Sequence, residues 1–238
     1  MADGIERLKQ DVFTANMLLV RYGLVTGTWG NASGVDRPGG VVVIKPSGVD
    51  YASMTAGDMV VLSLDGRVLE GDLRPSSDTP THLELYRAFP SIGGVVHTHS
   101  GWATMFAQAC REIPCLGTSH ADHFNGPVPV TRFLTEEEVS AGYESRTGRV
   151  IAERFAGLDP AGTPGVLVAG HGPFAWGPGP AEAAENGMVL ERIAEMAFGT
   201  LQLDPGAAPL PEYIRRKHYE RKHGPMAYYG QIHKGKRS

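Results

Sequence analysis

The sequence predicts a single α/β domain built on a mixed sheet. Three observations carry this reading. The 238 residues suffice for one domain that buries roughly 70% of the surface its unfolded chain exposes. Helix-like and strand-like patterns alternate with no linker, repeat or low-complexity tract between them. At least one hairpin interrupts the alternation, which argues against a purely parallel, doubly wound sheet.

The elements follow in order. Ile5, Leu8, Val12, Ala15 and Leu19 recur at helical spacing, so residues 1–22 form an amphipathic helix that ends at Gly23. The β-branched run VVVIKP, 41–46, is a strand stopped by Pro46. Met59–Leu64, Asp65-Gly66 and RVLEG form a hairpin, because Asp-Gly supports the positive φ values of a tight turn. Thr79 and Pro80 start a short helix, THLELYRAF, with Thr79 as N-cap and Pro80 at the first helical position. IGGVVHTH, 92–99, and GVLVA, 165–169, read as buried strands, and 136–155 and 180–201 as two longer helices.

Composition narrows the class. Apolar residues make up 42%, charged 20% and aromatic 8%, as in an ordinary soluble protein. Glycine accounts for 31 residues, nearly double the roughly 7% average, which suggests many turns and sites where backbone approaches a ligand closely. No apolar stretch approaches the roughly 20 residues a membrane span needs, and MADGIERLKQ lacks the apolar core of a signal peptide. Cys110 and Cys115 are too few for a disulfide framework and read as buried structural thiols. A soluble, cytoplasmic protein is expected.

The net charge of −4 is unevenly placed. Residues 215–238 hold eight Lys/Arg against the single acid Glu220, leaving 14 basic and 25 acidic residues in the rest. A basic segment can serve nucleic acid, an anionic ligand or an acidic neighbouring subunit. HYERKHGPMAYYGQ is also rich in Tyr and His, so part of it is expected to pack. With no recognised nucleic-acid module and an acidic total, nucleic-acid binding is not expected.

Several clusters can carry chemistry. On a strand, His97 and His99 project from one face, a start for a zinc-like site. His171, bracketed by Gly170 and Gly172, is a candidate third ligand. Ser76, Ser77 and Asp78 precede a helix N-terminus, where free N–H groups favour an anion, and Asp78 can complete a metal site. Lys45, Ser47 and Gly48 offer a cation, a hydroxyl and bare backbone for a phosphate. Trp29-Gly30-Asn31-Ala32-Ser33-Gly34 reads as a second glycine-rich turn. Neither is a P-loop, and GxGxxG is absent. Asp122, within HADH, is an acid/base candidate of the kind whose pKa partial burial raises.

Taken together, TWGNASG, IKPSGVDY, PSSDTPTHLELY, GGVVHTHS, GTSHADHF, GHGPFAWG and KHYERKHGPMAYYGQ resemble, in that order, the bacterial L-ribulose-5-phosphate 4-epimerases of the class II aldolase superfamily. The resemblance runs from about residue 20 to residue 231. It implies a three-layer α/β/α fold with a largely antiparallel central sheet, over a single domain 1–238. It also implies a four-fold homotetramer with sites between subunits and residues 212–238 at an interface. His97, His99 and His171 would ligate Zn²⁺ (Mn²⁺ or Co²⁺ are alternatives), with Asp78 at or near the metal. Gly30, Asn31, Ser47, Gly48, Ser76 and Ser77 would hold the substrate phosphate, with Lys45 and Thr118 among the substrate contacts. Asp122 and Tyr229, the latter from a neighbour, would be the acid/base pair, with His218 close by. The competing reading is an L-fuculose-phosphate-type aldolase. Such relatives commonly carry Glu where this chain has Asp78, which favours the epimerase. A non-catalytic binding protein is disfavoured because all three histidines remain.

Overall fold

In the computed structural model, which describes residues 2–229, helix α1 (Ala2–Arg21) leads into strands β1 (Asn31–Asp36) and β2 (Val41–Ile44). After a 3₁₀ turn at Ala56–Asp58 come β3 (Val60–Ser63) and β4 (Val68–Glu70), joined through Asp65-Gly66. Helix α2 (Thr79–Ala88), strand β5 (Gly94–His97) and helices α3 (Gly101–Gln108), α4 (Thr118–Ala121) and α5 (Glu136–Arg154) follow. The chain continues through β6 (Gly165–Leu167), β7 (Pro173–Gly177), α6 (Pro180–Leu203) and α7 (Glu212–His223).

The seven strands form one sheet in the order β4-β3-β2-β1-β5-β7-β6, and every named pairing is antiparallel. Alternate side chains point to opposite faces, and the two cores follow that period. Ala32, Val96 and Ala175 face α1 and α6, meeting Ala15, Leu19, Leu190 and Ala194. Val42, Val95, Phe174 and Trp176 face the other way, meeting Leu83, Leu85 and Tyr86 of α2 and Ile151 of α5. This is the expected three-layer arrangement, with helices on both faces of an antiparallel sheet.

Strand β7 and helices α3, α4 and α7 have no counterpart among the expected elements, and the remaining differences from expectation are local. Asn31–Gly34, part of the glycine-rich turn expected over 29–34, instead belongs to the central strand Asn31–Asp36, paired on both sides. Its Asn, Ser and Gly carry weak strand propensity, and its neighbours impose the conformation. Helix α2 is capped at Asp78 rather than Thr79, because the Thr79 hydroxyl turns back to donate to the Ser76 carbonyl, 2.6 Å. β5 ends at His97, so His99 is not on the strand. Helix α5 is broken at Gly142, whose φ of +136° only glycine adopts without strain. Cys110, expected to be buried, is exposed, while Cys115 is buried. Among the described residues, no helix is long and apolar enough to cross a membrane.

Candidate active site

His97 closes β5 at the centre of the sheet, in register with Asn31 of β1 on one side and Phe174 of β7 on the other. The Phe174 ring stacks on it at 4.1 Å, and its Nδ1–H donates to the Pro173 carbonyl, 3.0 Å. That bond fixes the tautomer and leaves the Nε2 lone pair free. Two residues on, past the strand end, His99 returns its Nε2 to 3.1 Å from His97 Nε2. The two rings converge as expected of positions i and i+2, although the strand itself ends at His97. His171 enters from the turn between β6 and β7, its N–H donating to the Val168 carbonyl.

The three imidazoles offer ring nitrogens that all lie within 4.8 Å of one another. Burial pushes His97 down to about 3, and burial likewise lowers His99 and His171. All three are neutral near pH 7, the form that binds a metal. Two close nitrogens with lone pairs directed at one another repel unless a proton or a cation lies between them. The donor set therefore fits a divalent transition metal.

Asp78 stands beside this trio and not within its 4.8 Å group. It occupies the N-cap of α2, yet its side chain caps nothing; Oδ2 accepts from Asn31 Nδ2 at 2.7 Å instead. Burial alone would raise its pKa, but His97, His82, the Asn31 hydrogen bond and His171 outweigh burial and hold it below the ordinary carboxylate value.

A polar cavity of about 280 Å³ opens next to His99 and Asp78. It gathers six of the predicted phosphate contacts, Gly30, Asn31, Ser47, Gly48, Ser76 and Ser77, and also Lys45. Gly30 holds φ +76°, and a Cβ there would come within 2.8 Å of Val25 and 3.0 Å of the His97 carbonyl. Asn31 and Lys45 differ from expectation in what they offer. Both Asn31 amide hydrogens are engaged, one by Ser76 Oγ at 3.0 Å and one by Asp78. Its Oδ1 is buried and unpartnered, so its side chain presents an acceptor. Lys45 Nζ is buried and donates to the carbonyls of Thr28, Pro46 and Val49 at 3.1–3.5 Å. It pins the loop and adds positive charge from behind, while the hydroxyls remain as donors to an anion.

A second cluster forms around Asp122. The Arg221 Nε donates to Oδ1 at 2.8 Å and its Nη2 to Oδ2. His218 Nδ1 lies 3.1 Å from Oδ1, and Thr118, at the start of α4, accepts from the Asp122 N–H at 2.9 Å. The Asp122 carboxyl, expected to be raised, is lowered: burial raises it, but the hydrogen bonds from Arg221 and His218 prevail. Tyr229 lies over Arg221 and Lys222, with the cations 4.9 and 4.5 Å from its ring centre. Part of the basic segment packs as expected, on the loop after α4; Gly230, Gln231 and the three basic residues beyond fall outside the described residues. Among the described residues no hydrogen bond or ion pair links this cluster to the histidine site. Arg221 and Tyr143, whose Oη lies 3.3 Å from His171 Nδ1, were not anticipated. The basic run pointed toward Arg221, but no local pattern marks Tyr143.

The family described as "Class II Aldolase and Adducin N-terminal domain" matches residues 10–198. The chain belongs to this family. The stretch that matches the class II aldolase domain takes in the three histidines, the cavity and Asp122, while α7 lies beyond it. The chain is 56% identical, over 227 residues, to the L-ribulose-5-phosphate 4-epimerases UlaF of Salmonella typhi and Salmonella paratyphi A, which covers 95% of this chain and all of each relative. A solved L-fuculose 1-phosphate aldolase, 26% identical, superposes with a TM-score of 0.76 over 90% of this chain and 95% of its own. The L-fuculose-1-phosphate aldolase of Thermus thermophilus, 24% identical, shares the fold at a TM-score of 0.62 over 86% of this chain and 99% of its own.

Proposed function

We propose that this class II aldolase-family chain interconverts L-ribulose 5-phosphate and D-xylulose 5-phosphate by breaking and remaking the C3–C4 bond. The observation that carries the reading is three neutral imidazoles set beside a hydroxyl-lined cavity of about 280 Å³. The 56% identity to relatives named as 4-epimerases supports it.

Carbon 4 of a ketopentose phosphate bears no acidic C–H, so its configuration is changed by a retro-aldol step and re-addition to the other face of the aldehyde. A divalent cation, Zn²⁺ in our reading with Mn²⁺ and Co²⁺ as alternatives, would be held by His97, His99 and His171 beside Asp78 and supply Lewis acidity at the substrate carbonyl. Ser47, Ser76 and Ser77 donate hydroxyls to the phosphate, and Gly30 and Gly48 leave backbone open to it. This clamp keeps the two-carbon aldehyde bound while its carbonyl turns. Asn31 Oδ1 accepts from a substrate hydroxyl. Asp122, kept ionised by Arg221 and oriented by His218, accepts and returns a proton at one face, and the Tyr229 phenol serves the other.

The Asp122 cluster and the histidines act together when α7 of one subunit closes the site of the next, in a four-fold homotetramer with 212–238 at the interface. Met196, Phe198 and Leu203 along α6 are exposed apolar side chains, which supports such a contact. We place the enzyme in the cytoplasm, on an arabinose or ascorbate route. The aldolase reading draws support from the fold likeness to L-fuculose 1-phosphate aldolase.

NMR product analysis of metal-loaded protein with L-ribulose 5-phosphate tests this. D-xylulose 5-phosphate that fails to form after EDTA treatment is the expected result. Dihydroxyacetone and glycolaldehyde phosphate as main products would make the protein an aldolase, and unchanged substrate would reject this sugar.

A further inference from the structure

The break in α5 falls one residue before the side chain that reaches His171. Gly142 holds φ +136° and ψ 87°, where any residue with a Cβ is strained. Tyr143 follows directly, its Oη 3.3 Å from His171 Nδ1. Beyond the break the helix is tied down. Thr81, buried on α2, donates its hydroxyl to the Glu144 carbonyl at 2.7 Å. Ser145 donates to the Gly142 carbonyl at 3.0 Å, and Thr147 to that of Tyr143 at 2.8 Å. Further on, Gly148 lets α5 close on α2, since a Cβ there would come within 2.5 Å of Glu84 Cβ and 3.0 Å of the Thr81 carbonyl. Tyr143 is therefore placed relative to α2, whose N-cap is Asp78, although its own ring is exposed.

His171 lies in the turn between β6 and β7, where no ladder fixes it. An imidazole that binds a metal presents one ring nitrogen to the ion. The N–H of the other, bonded to an acceptor, sets the tautomer and the direction of the ring. His97 has that acceptor in the Pro173 carbonyl. For His171 the oxygen in reach is Tyr143 Oη, and the nitrogen facing it is Nδ1, which leaves Nε2 for the trio. A phenol oxygen accepts such a bond and keeps its own hydrogen.

We propose that Tyr143 is the positioning residue of His171. Its oxygen accepts from Nδ1–H and turns Nε2 toward His97 and His99, and the break at Gly142 is what delivers the phenol to that place. The effect on metal rests on reading His97, His99 and His171 as ligands; the hydrogen bond does not.

Ring-nitrogen spectra and metal titration test this. In metal-free ¹⁵N-histidine-labelled protein, with His171 assigned by its absence from His171→Asn, Tyr143→Phe is expected to move the Nδ1 resonance of His171. That of His97, held by the Pro173 carbonyl, is expected to stay. In Zn²⁺-loaded wild-type protein His171 is expected to carry its proton on Nδ1. In chelator-competition titrations with Zn²⁺, Tyr143→Phe is expected to bind roughly 10- to 100-fold more weakly, the range for losing a group that orients a ligand. Gly142→Ala is expected to show a comparable loss although it keeps the phenol. An unmoved His171 Nδ1, a proton on Nε2 in the loaded protein, or wild-type Zn²⁺ affinity in Tyr143→Phe each overturns the role of Tyr143. Wild-type affinity in Gly142→Ala overturns the part assigned to the break. Wild-type protein that takes up no Zn²⁺ would instead overturn the metal reading, and the metal-free spectra would still decide the hydrogen bond.

Discussion

Where a proton sits decides what several of these side chains can do. The Pro173 carbonyl takes the Nδ1–H of His97 and so turns a lone pair toward His99. Replacing either His97 or His99 by Ala is therefore expected to abolish metal uptake and to cut turnover at least about 100-fold, the scale of several kcal/mol of lost charge stabilisation. The far-ultraviolet circular dichroism of these variants is expected to match the wild type. Stoichiometric metal and normal turnover in either one would remove the trio from the site. The identity of Asp122 as an acid/base candidate was legible, but its charge state was not, because the guanidinium that holds it ionised lies 99 residues away.

At the scale of elements, α2 is set by what surrounds its two ends. Its start is displaced to Asp78 by the hydroxyl of Thr79, which leaves the Asp78 side chain free for the site. Its exit is held by Arg37, whose guanidinium donates to the carbonyls of Tyr86, Phe89 and Ile92 at 2.9–3.1 Å. The last carbonyls of a helix lack intrahelical partners, and a forked cation satisfies several of them together. Arg37→Ala is thus expected to cost about 2–3 kcal/mol, at roughly 1.5 kcal/mol or more for each charge-assisted bond less the water that replaces it. Arg37→Lys is expected to recover only part, since a single ammonium cannot span three carbonyls. Urea unfolding of the two variants measures both effects, and wild-type midpoints would show that the cap contributes nothing. Most elements were legible from periodicity and turn chemistry. β7, α3, α4 and α7 were not, and neither was β1, because its conformation comes from the strands on either side and not from its own Asn, Ser and Gly.

For the whole molecule, buried neutral histidines predict an acid limb of stability. Burial pushes His82 and His120 down to about 4 in the folded chain, against about 6.5 when unfolded. Between those values the unfolded chain binds more protons, so stability is full above about pH 6.5 and falls as the pH drops toward 4. The lowered carboxyls of Asp78 and Asp122 act in the same sense, their contribution being lost as pH falls through their folded values. At about pH 5 each histidine is expected to remove about 2 kcal/mol. Unfolding of metal-free protein in urea at about pH 7 and pH 5 checks this, and an unchanged midpoint would mean that these rings are solvated.

By itself the sequence determined the layered α/β architecture, the family and the three histidines with their glycine and serine neighbours. These are matters of local pattern and of residue types kept in a recognisable order. Only the tertiary structure decided which groups are protonated, which donors are free and where the rings point. Those properties depend on burial and on hydrogen-bond partners far off in the chain. Asn31 meets Asp78 across 47 residues and His97 meets Pro173 across 76, distances at which sequence carries no local signal of contact and folding alone brings the atoms together.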